Sequence, residues 1–109
     1  MSISAAPNTG LAAVEEARPK LRELCRKHCI RRLSLFGSIL RDDFGPESDI
    51  DVLAEFEASH VPGFIRLAGM EMELSTLLDR KVDLLTPGSL SPRFRDRVLR
   101  EAFMLHDAA

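Results

Sequence analysis

The sequence predicts a single α/β domain in which helices and strands alternate in the order αβαβαβα. Its 109 residues, 45% of them apolar, suit one hydrophobic core but not two. Three short segments alternate apolar and polar residues, as half-buried strands do. The segments around them repeat apolar residues every three or four positions, as amphipathic helices do. No internal repeat interrupts this order.

The chain divides into a short arm and one domain. Residues 1–10 are small and polar and include proline and glycine, so they predict a flexible N-terminal arm. The domain is then expected to span residues 11–109.

The first helix, the first strand and a short second helix follow the arm. Because proline disrupts a helix interior, Pro19 is expected in the first turn of a helix that runs to about His28. Residues 31–36 alternate and predict a strand that ends at a Gly-Ser turn. Ser38 is then the expected N-cap of a short helix over residues 39–43.

The second half of the chain predicts two strands and two helices. Residues 49–56 alternate again, and a Pro-Gly pair opens the longest helical pattern, which continues to Asp79. A strand over residues 81–85 follows. After the next Pro-containing break, the apolar spacing predicts a closing amphipathic helix that reaches Leu105.

Composition excludes several classes of protein. A net charge of -2 disfavours direct DNA binding, and no apolar run approaches the length of a membrane span. With no secretory signal pattern and only two cysteines, the expected location is the cytoplasm. The late arginines could contact RNA or an acidic partner, but the charged face of a helix is the favoured interpretation; they are Arg93, Arg95, Arg97 and Arg100.

Two aspartates on the second strand carry the first chemical signal. Asp49 and Asp51 are two residues apart, so on a strand their side chains share a face, with backbones about 6.6 Å apart. Such close negative charges repel unless a cation lies between them, and hard oxygen ligands suit Mg²⁺ or Mn²⁺. The pair therefore predicts a divalent metal site.

Further residues extend this site. Gly37 permits close approach of a ligand to its backbone, and Ser38 with the following N–H groups could bind phosphate. Asp83 is the one acid of its apolar strand and would join the two aspartates if the strands pair. Arg41 is a secondary candidate for a phosphate contact, with a surface ion pair equally compatible.

A zinc site is a weaker alternative. Cys25, His28 and Cys29 resemble part of a zinc ligand set, but a structural site needs four ligands and the sequence supplies no clear fourth. Packing of the thiols within a helix is the favoured interpretation.

The acids and the Gly-Ser turn together resemble a known family. Gly37-Ser38, ten further residues, the Asp49-x-Asp51 pair and then Asp83 on a short strand are similar to the nucleotidyltransferase superfamily related to DNA polymerase beta, and GSILRDDFGPESDIDVLAEF resembles its minimal nucleotidyltransferase (MNT) branch. The resemblance implies a small mixed β-sheet flanked by helices. It also implies Asp49, Asp51 and Asp83 as catalytic metal ligands, and Gly37 and Ser38 as nucleotide contacts.

The resemblance also implies a reaction and a partner. Many MNT proteins are antitoxins of HEPN ribonuclease toxins and adenylylate a toxin tyrosine. We therefore expect ATP as donor, Mg²⁺ or Mn²⁺ in a two-metal mechanism, and a HEPN toxin as acceptor. Two alternatives stay open: a module that neutralises its partner by contact alone, and a transferase acting on a small molecule such as an aminoglycoside.

Overall fold

A computed structural model describes residues 9–40, 45 and 47–108 of the chain. Within these residues there are three α-helices and four strands. In chain order the elements are α1 (Thr9–His28), β1 (Ile30–Phe36), β2 (Ile50–Phe56), α2 (Phe64–Leu78), β3 (Val82–Leu85), α3 (Pro92–Glu101) and β4 (Phe103–Asp107). Short 3₁₀ turns occupy Gly37–Leu40, Ala58–His60 and Pro87–Ser89. None of the described helices is long and apolar enough to cross a bilayer.

The four strands form one mixed sheet in the order β3-β2-β1-β4. β1 pairs antiparallel with both β2 and β4, whereas β2 and β3 run parallel. The parallel pair needs a crossover, and α2 provides it. The expected small mixed sheet flanked by helices is therefore confirmed.

Each face of the sheet has its own hydrophobic cluster. The larger cluster lies under α1 and α2 and takes alternate residues of the strands, among them Leu33, Leu35, Ile50, Val52, Val82 and Leu84. The smaller cluster lies on the opposite face and consists of Phe36, Leu53, Leu90 and Val98. Because both faces are covered near the strand centres, β1 is buried from Leu33 to Phe36 instead of alternating with solvent.

The prediction that Pro19 starts a helix is wrong. Pro19 lies inside α1, which already includes Thr9 and Gly10 of the predicted arm. Apolar side chains are buried on both sides of Pro19; they are Val14, Ala17, Leu21, Leu24 and Cys25. A proline inside a helix costs about 3 kcal/mol, and burial of this continuous stripe on the sheet outweighs that cost. Residues 1–8 of the arm lie outside the described residues.

The predicted closing helix is also corrected. α3 ends at Glu101, and residues that were expected to continue it form the strand β4. The backbone of β1 would otherwise present an open edge, and β4 pairs with it at Leu35↔Phe103 and Ser34↔Met104. The backbone hydrogen bonds of this pairing outweigh the helical propensity of residues 103–107, which is weak over so short a segment.

The short helix after β1 is smaller than expected. Its described part is the 3₁₀ turn Gly37–Leu40, so Ser38 lies within the turn and is not the N-cap of a helix that starts at residue 39. Residues 41–43, which were predicted to complete that helix, lie outside the described residues.

Candidate active site

Two of the predicted site residues are direct neighbours across the parallel strands. Asp51 of β2 is the register partner of Asp83 of β3, so both side chains belong to the same face of the sheet. This is the face of the smaller cluster, since Leu53 follows two residues later on β2. Both acids are half-buried at the edge of that cluster. Paired strands lie about 4.8 Å apart, which brings two carboxylates within reach of one cation.

Gly37 is built around the carboxylate of Asp51. The backbone of Gly37 has φ = +79°, a conformation that side chains rarely adopt, and a Cβ there would collide with Oδ2 of Asp51. Phe36, the residue before it, is the register partner of Asp51 on β1. The turn after β1 therefore closes directly over the acid, and only glycine fits there.

Asp49 lies two residues before Asp51 in the chain. It precedes β2, and the N–H of Ile50 donates to the carbonyl of Lys81 at 2.9 Å, which joins the starts of the two parallel strands. The ammonium of Lys81 lies 3.6 Å from Oδ2 of Asp49. Because both side chains are substantially exposed, this ion pair is weak and easily exchanged.

The donor set fits a magnesium ion that is shared with a substrate. Within the described part of the chain, no three His, Cys, Asp or Glu side chains are grouped closely enough to hold a metal by themselves. Mg²⁺ usually takes one or two carboxylates and completes its shell with water and phosphate oxygens. The adjacent Asp51 and Asp83 meet that requirement, and Asp49 is two residues from Asp51 along the chain. The metal-ligand roles of the three acids stay predictions.

The predicted phosphate contacts are Gly37, Ser38 and Arg41. Ser38 is half-buried in the 3₁₀ turn and follows Gly37, the residue that packs on Asp51, and its phosphate contact stays a prediction. Arg41 lies outside the described residues. A four-residue 3₁₀ turn lacks the aligned N–H groups of a long helix, so contact with phosphate would depend on the Gly37 backbone and the Ser38 hydroxyl.

Side chains of α2 hold β3 in place through contacts that were not predicted from the sequence. Ser75 accepts a hydrogen bond from the N–H of Val82 at 3.0 Å, and Glu71 accepts one from the N–H of Leu84 at 2.8 Å. Asp83 lies between these two anchored residues. The sequence did contain a signal for these contacts. Glu71 and Ser75 are four residues apart on a helix, and Val82 and Leu84 are two residues apart on a strand, so each pair lies on one side of its element.

On the other side of the site, Arg95 joins α3 to the turn after β3. Its guanidinium donates to the carbonyl of Pro87 at 2.8 Å and to that of Leu90 at 3.0 Å. The turn Pro87–Ser89 directly follows the acid-bearing strand β3. One of the late arginines thus has a structural role within the chain.

Two regions compete as ligand sites, one along α1 and α2 and the other along α3, and the first includes a cleft of about 520 Å³ beside Asp79. A cleft of about 680 Å³ lies between α1 and α2 and is lined by Lys20, Lys27, Met72 and Glu73 among others. It is separated from the acids by the sheet and its larger core. A cleft of about 490 Å³ opens beside Gly37 and continues along α3. The cleft along α3 is the relevant one, because it borders the residue that packs on Asp51.

The alternative zinc site is not assembled. Cys25 is fully buried in the larger cluster, and burial raises the pKa of its thiol to about 12, so the thiolate that zinc requires is disfavoured. The Nε2 atom of His28 is already 2.7 Å from Oε1 of Glu73. Cys25 therefore packs in the core, as the favoured interpretation predicted.

Comparison with known proteins agrees with this geometry. The family model described as a nucleotidyltransferase domain matches residues 17–104. A Methanocaldococcus jannaschii protein, provisionally named protein adenylyltransferase, is 38% identical over 90 residues, which are 82% of this chain and 94% of that protein. The protein adenylyltransferase MntA of Thermococcus cleftensis is 34% identical over 80 residues, which are 73% of this chain and 79% of MntA.

Solved structures show the same architecture. A structure described as a provisional minimal nucleotidyltransferase superposes with a TM-score of 0.73 at 33% identity, covering 85% of this chain and 93% of that one. A toxin-antitoxin structure with AMP-PNP gives a TM-score of 0.68 at 25% identity, covering 83% of this chain and 73% of its own. By sequence and by fold, the chain belongs to the nucleotidyltransferase family, in its minimal branch, and is a nucleotidyltransferase.

Proposed function

We propose that this protein transfers AMP from ATP to a hydroxyl group on a HEPN-type toxin and thereby acts as its antitoxin. The observation that carries the proposal is the register pairing of Asp51 with Asp83 under a turn whose glycine fits only against Asp51. That arrangement concentrates negative charge beside an open cleft, which favours a cation bound together with a triphosphate.

The reaction joins an acceptor oxygen to the α-phosphorus of ATP. The acceptor hydroxyl loses its proton, the new O–P bond forms, and the bond between the α-phosphorus and the β-phosphate oxygen breaks, so that pyrophosphate leaves. Asp49, Asp51 and Asp83 would hold Mg²⁺ or Mn²⁺, which would supply charge neutralisation on the phosphates.

The residues of the chain position the reactants. The turn at Gly37 and Ser38 brings a phosphate close to the backbone without a side chain in the way. Asp51 is kept in one place by Gly37 and Phe36, so its carboxylate needs little reorganisation when a substrate binds. The fold thus contributes position and electrostatic preorganisation.

The names of the relatives support ATP as the donor and a toxin protein as the acceptor. MntA is named a protein adenylyltransferase, and one structural neighbour is described as a toxin-antitoxin structure with AMP-PNP. A further neighbour, with a TM-score of 0.62 and 25% identity, is described as the toxin-antitoxin MntA-HpeT. The resemblance to MNT antitoxins extends these assignments to the present chain as a proposal.

A second candidate function is neutralisation of the partner by contact alone. The start of α2 exposes a cluster of large apolar side chains, with Val61, Phe64 and Ile65 exposed by 68%, 92% and 89%. Contiguous exposed apolar surface of this kind marks protein contacts. Contact and catalysis are compatible, so the test must separate them.

The test uses the toxin expected from the open reading frame next to that of this chain, and measures the intact mass of its product after incubation with this protein, ATP and Mg²⁺. We expect the toxin to gain the mass of one or more AMP units. With Asp51→Asn, transfer should fall at least a hundredfold, because removal of one precisely placed charge group costs about 3 kcal/mol of transition-state stabilisation.

A matched control separates loss of chemistry from loss of fold. Asp79→Asn makes the same change at the C-cap of α2, where φ is +52° and asparagine is readily accepted. This control should transfer AMP normally. If Asp51→Asn leaves transfer intact, the catalytic assignment is wrong, and if it abolishes transfer while the toxin stays inactive, neutralisation by contact accounts for the antitoxin effect.

A further inference from the structure

The cleft beside the acids has an organised lining along α3. Relative to Phe94, the residues Arg97, Val98 and Glu101 lie three, four and seven positions later, so the four share one face of α3. The opposite wall comes from Phe36, Gly37 and Leu40. The volume of about 490 Å³ falls within the range of small-molecule sites.

The lining combines an aromatic surface with a cation. Val98 is buried in the smaller cluster and anchors the helix, whereas the ring of Phe94 stays 48% exposed. The guanidinium of Arg97 lies 3.5 Å from the carboxylate of Glu101, and both side chains are more than 60% exposed. An exposed ion pair of this kind is weak, so Arg97 is available to an incoming anion.

We propose that this cleft is the nucleoside site of the ATP donor, with Phe94 stacked on the adenine ring and Arg97 turned toward the phosphates. The inference rests on the proposed transferase function and adds residues that bind its donor. With the phosphates bound beside Gly37 and Asp51, the base would lie in the cleft along α3, because the larger cleft between α1 and α2 is on the other face of the sheet. Stacking on an aromatic ring contributes binding free energy for any base, so Phe94 is proposed to hold the nucleoside and not to distinguish adenine from other bases.

The test is calorimetric titration of the full chain in Mg²⁺ with two probes, AMP-PNP and inorganic triphosphate. Stacking contributes about 1–3 kcal/mol per base, so Phe94→Ala should weaken AMP-PNP binding roughly tenfold and leave triphosphate binding unchanged. Phe94→Tyr keeps the ring and should bind AMP-PNP like the unaltered protein. Arg97→Ala should weaken both probes.

The control is Met72→Ala, which truncates an exposed side chain of the other cleft and should change neither affinity. Unchanged AMP-PNP affinity in Phe94→Ala, or an equal loss of both probes, would overturn the assignment of the nucleoside site while leaving the transferase proposal in place. If the unaltered protein bound neither probe, the transferase proposal would fail as well.

Discussion

Gly37 and Asp51 show how one residue can restrict another in this site. Asp51 pairs with Phe36 on one side and with Asp83 on the other, so its backbone is held by both neighbouring strands. The positive φ of Gly37 lets the chain turn away while its Cα stays against the carboxylate. The site therefore depends on the absence of a side chain at Gly37 as much as on the acidic residues.

The substitution Gly37→Ala tests this dependence. A positive φ costs an alanine about 1–2 kcal/mol, and the new methyl group must displace the Asp51 carboxylate. We expect a lower midpoint of urea unfolding together with at least a tenfold loss of AMP transfer, measured as above.

Gly69→Ala is the matched control for that experiment. Gly69 lies inside α2 with open space around its Cα, so alanine should stabilise the protein by about 0.5–1 kcal/mol without changing transfer. Equal stability of the Gly37 and Gly69 variants would contradict the close packing of Gly37 on Asp51.

At the scale of elements, β3 is a short edge strand that needs outside support. It has four residues, and within the part of the chain that the structure describes it pairs with β2 alone. Glu71 and Ser75 of α2 accept hydrogen bonds from its outward N–H groups, which replaces the missing neighbouring strand. The helix that makes the parallel crossover thus also fixes the position of Asp83.

Removal of the Glu71 carboxylate should loosen β3. A hydrogen bond to a charged group contributes about 1.5–3 kcal/mol, and we expect Glu71→Ala to lose about 1.5 kcal/mol, because this bond is only partly buried. Chemical denaturation measures the change, and AMP transfer should fall because Asp83 shifts.

Two further variants make the Glu71 experiment decisive. Glu71→Gln keeps an oxygen that can accept from Leu84, so its loss should be smaller than that of alanine. Glu16→Ala removes an exposed glutamate from α1 and should change stability by less than about 0.5 kcal/mol. Identical stabilities for the alanine and glutamine variants would argue against the hydrogen bond.

At the scale of the whole molecule, the two faces of the sheet have different tasks. One face buries most of the core under α1 and α2, and the other carries the acids, the smaller cluster and the cleft along α3. A separate contact joins α1 to α2 at the surface, where Glu73 lies 2.6 Å from the Lys27 ammonium and 2.7 Å from the His28 ring.

This helix-to-helix contact predicts a pH dependence of stability. The hydrogen bond from Lys27, and then that from His28, lowers the pKa of the Glu73 carboxyl below its usual value. A lowered folded-state pKa stabilises the protein above the ordinary pKa of glutamate, and this contribution is lost as the pH falls through the lowered pKa.

Glu73→Gln should therefore flatten the acid side of the stability profile. The Glu73 side chain is partly exposed and its Lys27 partner more so, and the difference at neutral pH should therefore stay below about 1 kcal/mol and shrink in high salt. Urea unfolding at neutral and acid pH measures it, with Glu16→Gln as control. Parallel profiles for the unaltered protein and Glu73→Gln would refute the contribution of this contact.

Local patterns determined a large part of the molecule from the sequence alone. The three predicted strands and the helix over residues 64–79 were found within one or two residues, because their periodicities are local. Asp49-x-Asp51, the Gly-Ser turn and the single acid of β3 likewise identified the family before any coordinates, since the motif lies within adjoining segments. The catalytic and binding roles of these residues stay predictions.

Only the tertiary structure decided how distant segments meet. The partnership of Asp51 with Asp83 and the conversion of residues 103–107 into β4 both depend on strand pairing. The passage of α1 through Pro19 depends on the core that lies beneath it. Backbone hydrogen bonds and apolar burial between segments far apart in sequence stabilise these features, and no short stretch of side chains encodes them.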